Sequence, residues 1–121
     1  MRTYQELQNT TVTEINKEYA SFFRKIKVNK DRKNYLNRMT DDFLQRELDG
    51  IAKIRKEGEY TQANGKVVKL NEETKEEFNQ EWLFLSLLIQ QRQEVSYIEN
   101  RALEAFKKVN NWEEFLRDFK G

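Results

Sequence analysis

The chain has 121 residues, with 22 Lys and Arg against 21 Asp and Glu, a formal net charge of +1 and no histidine, cysteine or proline. Thiol nucleophiles, disulfides, imidazole bases and metal sites built on His or Cys are therefore excluded, as is any Ser-His-Asp or Cys-His mechanism. The apolar fraction is 37% but aromatics reach 12%, which points to a folded chain with a lean core rather than a disordered one.

A chain of this length fits a single domain, and residues 1–121 read as one helical unit. Without proline nothing forbids long helices. Thr3 with Glu6, and Thr11 with Glu14, have the spacing of a capping box. Val12, Ile15, Tyr19, Phe22, Phe23 and Ile26 recur in steps of three and four, predicting a helix over 12–27.

A second apolar series follows Asp31 and includes Tyr35, Leu36, Met39, Phe43, Leu44, Leu48, Ile51 and Ile54. Thr40, Asp41 and Asp42 resemble a helix N-terminus inside it, so the stretch is one helix or two with a bend near Thr40. Gly50 lies mid-pattern and is expected to admit a close neighbour, and Gly58 is a stop in the left-handed conformation. Residues 59–70 then place Tyr60-Thr61-Gln62 and Val67-Val68-Lys69 around Asn64-Gly65. That pair favours a two-residue type I′ turn, predicting a short β-hairpin, with an ordered loop as the alternative.

Asn71 opens a third pattern that carries Phe78, Trp82, Leu85, Leu88, Ile89, Val95, Ile98, Ala102, Phe106 and Val109. From Trp82 to Ile89 only Ser86 is polar, as expected of a helix buried on every side. An unbroken helix over 72–109 would run about 57 Å, against a diameter of roughly 35 Å for a compact domain of this length. It must break, curve or protrude, and Glu99-Asn100-Arg101 is the best place for a break. Asn111 and Glu114 mark a last start, followed by Trp112, Phe115, Leu116 and Phe119. A helix of about eight residues is unstable alone, so its aromatic face must dock. The expected fold is mainly α, an irregular bundle of three to five helices with a short hairpin at about 59–70.

Charge patterning is the most informative functional feature. Arg24, Lys25, Lys27, Lys30, Arg32, Lys33 and Arg38 face only Asp31, whereas Glu72, Glu73, Glu76, Glu77 and Glu81 face only Lys75. Seven minus one gives a +6 segment, and five minus one gives a −4 segment. Opposite segments on one chain imply internal pairing or complementarity with another molecule. The basic residues are candidate contacts to a partner protein or to phosphates. The acidic run reads as a solvated helix face, because the histidine companions of carboxylate metal sites are missing.

No phosphate-binding glycine motif is present, with glycines scattered at 50, 58, 65 and 121. Catalysis would rest on carboxylates, lysines or tyrosines, whose adjacency in sequence does not make a cleft. The reading is therefore non-enzymatic, with no catalytic residue, metal or cofactor assigned. Phe84 and Leu87 lie off the main apolar stripe and either widen the core or face a partner. With Trp112, Phe115 and Phe119 they are the candidate protein-interface anchors. No secretory or membrane-spanning segment is visible, so a cytoplasmic location is expected. Eleven asparagines and thirteen lysines fit an AT-rich bacterial or phage genome. The expected role is protein–protein interaction, with another protein or a second copy as partner. Nucleic-acid binding through 24–38 is the alternative.

Overall fold

The computed structural model describes residues 2–110, with side chains through Glu104. The predicted C-terminal helix, with the anchors Trp112, Phe115 and Phe119, lies outside the described residues. The fold is mainly α with one small hairpin, as expected. Its order is α1 (Tyr4–Gln8), α2 (Val12–Lys25), α3 (Lys30–Asn37), α4 (Asp41–Glu57), β1 (Glu59–Thr61), β2 (Val67–Lys69) and α5 (Glu72–Asn110).

Local signals set most of the helix starts. The Thr3 hydroxyl accepts from the Glu6 amide at 3.2 Å. Thr11 and Glu14 form the full reciprocal box, at 3.2 Å and 3.4 Å. Helix α2 stops at Lys25 because Ile26 turns to an extended backbone, and its buried side chain joins the core. Asn29 caps α3, and Thr40 caps α4 through the Phe43 amide at 3.2 Å.

The stretch after Asp31 is thus two helices. A cation from another helix holds the break between them. Arg92 of α5 donates to the Met39 and Asn37 carbonyls at 2.6 and 2.9 Å, and to Asp41 at 2.9 Å. It satisfies carbonyls that the end of α3 leaves without helical partners. Gly58 ends α4 at φ 72, the left-handed stop expected there. Gly50 behaves otherwise than expected, since a Cβ built on it meets nothing within 4 Å, and no close neighbour explains it.

The hairpin pairs Tyr60 with Val68 in antiparallel register. Its turn is not the two-residue type I′ expected. The Gly65 amide donates to the Gln62 carbonyl, which makes Ala63 and Asn64 the central pair, and Gly65 follows at φ 85. This matches a three-residue loop closed by a left-handed glycine. The hairpin leans on α5 through Tyr60 and Phe78, whose rings meet edge-on at 5.9 Å.

Helix α5 is the spine. One core cluster, Ile26, Leu36, Leu44, Ile51, Phe84, Leu85 and Leu88, surrounds its first half. A smaller one, Leu7, Ile15, Tyr19 and Ile98, sits further along. Phe23 and Leu87 pack against both clusters and join them. The expected break at Glu99-Asn100-Arg101 does not occur. Helix α5 runs unbroken for 39 residues, about 58 Å. Polar residues alone do not interrupt a helix, so the chain protrudes instead. The last buried side chain on α5 among the described residues is Ile98, and Leu103 beyond it is exposed. No helix among the described residues is long and apolar enough to cross a membrane.

Candidate functional site

The apolar run Trp82–Ile89 is not buried on every side. Phe84, Leu85 and Leu88 are in the core, but Leu83 is 38% exposed. Phe22 of α2, which the spacing assigned to a core face, is 40% exposed. The two lie along one groove between α2 and α5, lined by Phe22, Lys25, Ile26, Gln80, Leu83 and Leu87, with a volume of about 410 Å³.

Helical spacing builds both walls. Phe22 and Ile26 are four apart on α2, and Gln80, Leu83 and Leu87 are three and four apart on α5. Ile26 and the half-buried Leu87 continue into the core below. Tyr19 holds Phe22 edge-on at 6.0 Å. Gln80 closes one end by accepting from the Lys27 amide at 2.9 Å.

The other end meets a charged cluster that sequence reasoning missed. Glu94 of α5 is 1% exposed, and Arg2 holds it with two hydrogen bonds, from its backbone amide at 3.0 Å and its guanidinium at 2.7 Å. Arg2 also pairs with Glu18 and lies 5.9 Å from the Tyr19 ring centroid. Phe22 and Leu87 line both the groove and the hollow of about 220 Å³ beside this cluster. A buried carboxylate needs such a partner, since an unpaired charge in the core is costly.

Burial pushes the Tyr19 hydroxyl above its ordinary value, and its hydrogen bond to Glu94 with that carboxylate's charge adds to the shift, while Arg2 opposes it. The sign follows from the neutral form being favoured in the fold. The contribution is complete below the unfolded value of about 10 and is lost as pH rises beyond it. We therefore expect the native chain to lose more stability than Tyr19→Phe between about pH 9 and 12, read by urea denaturation at fixed pH. Parallel pH profiles would show that Tyr19 does not carry the effect.

The basic segment separates into two groups. Arg32 is engaged internally, bonding Glu81 at 2.7 and 3.0 Å and Glu47 at 3.1 Å. Partial burial opposes its charge, but these two carboxylates outweigh that and raise its pKa. Lys33 donates to the Phe23 carbonyl at 2.8 Å, and Arg38 to its own helix at Asn34. Arg24, Lys25, Lys27 and Lys30 are exposed and form no ion pair with the described residues. Lys25 stands on the groove itself.

Of the two anchors that can be placed, Leu87 lines the groove and Phe84 does not. Phe84 is 1% exposed and packs against Phe23 at 5.1 Å, so it widens the core and offers no surface. A larger hollow of about 490 Å³ lies between α4 and α5 and includes Asp41 and Arg92. There Arg92 is already committed to Asp41 and the α3 carbonyls. The α2–α5 groove leaves Phe22 and Leu83 open, and Lys25 beside it forms no ion pair with the described residues. Comparison with protein-family models, curated proteins and solved structures gives no match for this chain.

Proposed function

We propose that this is a non-enzymatic cytoplasmic protein that acts by docking another protein chain in the α2–α5 groove. The class is that of small regulators, inhibitors or assembly factors, including those encoded by phages and mobile elements. The observation that carries the reading is the pairing of exposed Phe22 and Leu83 along a groove floored by core residues. Large apolar side chains gathered in a concave surface mark contact sites on folded proteins. Unpaired Lys25, with Arg24, Lys27 and Lys30 nearby in sequence, favours an acidic partner.

A photo-crosslinking residue at position 83 tests this in cells that make the protein. It should trap a protein adduct that the same residue at exposed Lys53 of α4 does not. Equal or absent adducts at the two positions would sink the docking reading.

The same four unpaired cations support the nucleic-acid alternative. It predicts DNA or RNA binding that weakens steeply with salt and is lost when Arg24, Lys27 and Lys30 become Glu. Arg32 and Lys33 are poor probes of that question, because their internal bonds also hold the fold. An apolar groove has no use in holding phosphates, which favours the protein partner.

A further inference from the structure

Resting on the docking reading, we infer that the groove's occupant is the 112–119 segment of a second copy of this chain. Trp112, Phe115, Leu116 and Phe119 stand at i, i+3, i+4 and i+7 in the sequence. This is the spacing by which an amphipathic helix lays its anchors into an apolar groove. Glu113, Glu114 and Asp118 lie between them with Arg117, three acids against one base, a net charge of −2. The acids complement Lys25 on the groove and the unpaired Arg24, Lys27 and Lys30.

Chain length excludes the same copy's groove. The groove residue of α5 closest to its C-terminal end is Leu87, and the helix continues to Asn110. Those 23 residues of helix span about 35 Å. From Asn110 the nine residues to Phe119 reach at most about 32 Å when fully extended. Folded as a helix they reach far less, and Trp112 is only two residues out. The segment therefore meets such a groove only on another molecule.

The area is sufficient. Three aromatics of about 150–250 Å² each bury roughly 600 Å² per segment. Each copy offers one groove and one segment, so a closed pair is two-fold and makes the contact twice. Two segments with the grooves they cover then exceed the roughly 1,200–2,000 Å² of a stable interface. The net charge of +1 sets up little repulsion between copies.

Sedimentation velocity on the full chain provides the test, over roughly 1–200 µM, where an association of micromolar strength is visible. The native chain should dimerise in that range. Leu83→Glu, at an exposed groove position, and Phe115→Glu, in the segment, should each sediment as monomers with unchanged helical circular dichroism. Mixed one to one, the two variants should form a heterodimer, more weakly than the native chain, because one intact segment meets one intact groove and the contact is made once. Lys25→Glu should weaken the native dimer at least about threefold.

A native chain that stays monomeric overturns the inference. So does a mixture that fails to dimerise, or a Phe115→Glu chain that loses stability at unchanged mass. If the chain is monomeric while position 83 still traps a different protein, the docking reading stands and the second copy is excluded. If neither measurement finds a contact, both fall.

Discussion

Replacing Arg2 with alanine should lower stability by about 1.5–3 kcal/mol, although Arg2 lies outside every helix. The reason is what the change leaves behind. Glu94 is 1% exposed, and Arg2 supplies both a backbone and a guanidinium donor to it. Alanine keeps the backbone amide donor but removes the guanidinium, and a buried carboxylate without its countercharge costs up to about 3–5 kcal/mol when no relaxation is open. Here one relaxation is open. Helix α1 is five residues long with Leu7 as its one buried side chain, and its detachment would let water reach Glu94. Losing the burial of one leucine costs about 1.5–3 kcal/mol, which limits the total. Urea denaturation checks the magnitude, and a reduced denaturant slope would show that α1 has come away. Arg2→Met with Glu94→Leu should recover most of the loss, because an apolar pair leaves no stranded charge. A loss below about 1 kcal/mol for Arg2→Ala would show that the pair is not holding the fold.

The features visible in the sequence are those set within a few residues. Thr3, Thr11, Thr40 and Asn71 cap helices because each hydroxyl or amide oxygen meets an amide three residues ahead. Gly58 stops α4 because that position needs a positive φ. The features that were hidden depend on distant partners. Arg2 meets Glu94 across 92 positions, and Arg92 meets Met39 across 53. No spacing rule connects such residues, and both are single cations in ordinary polar surroundings. The hairpin lies between these cases. Asn64-Gly65 announces a turn, but strand pairing decides which residues are central, and it shifted the turn by one position.

The unbroken α5 has a similar origin. Expecting a break at 99–101 came from a compactness argument about the whole chain, whereas a helix ends only where its own backbone bonds fail. Nothing at Glu99-Asn100-Arg101 removes a donor or forces a positive φ. The groove was half legible for a related reason. Leu87 lies off the main stripe and stands out, but Phe22 belongs to a series that reads as one core face, and Leu83 to a run that reads as buried on every side. Periodicity marks the apolar arc of a helix and says nothing of how much of that arc its neighbours cover. The charge segments were legible as composition, yet of the seven basic residues only Arg32 pairs with the acidic run, through Glu81. Arg24, Lys25, Lys27 and Lys30 are left exposed, and Lys25 stands beside that uncovered arc.

Phe84→Ala and Leu83→Ala, adjacent in sequence, should separate by several-fold in cost. Phe84 is 1% exposed, packs against Phe23, and belongs to the cluster with Leu36, Leu44 and Leu85. Truncating it removes a ring from a closed core and leaves a cavity, for an expected loss of about 3–5 kcal/mol. Leu83 faces the groove at 38% exposure, so truncation leaves no enclosed void. Its loss should stay near or below 1 kcal/mol, since much of its surface is already in water. Urea denaturation of both variants at a concentration too low for association isolates the fold from any partner. Equal losses would mean that the position of Leu83 is closed in solution and the groove with it. At higher concentration the expected order reverses for binding. Leu83→Ala should then lose the partner-dependent stabilisation that mass action adds to the native chain, while folding itself is nearly unchanged. A residue that matters little to the fold and much to association is what a docking surface requires, and Leu83 is the side chain in this groove best placed to show it.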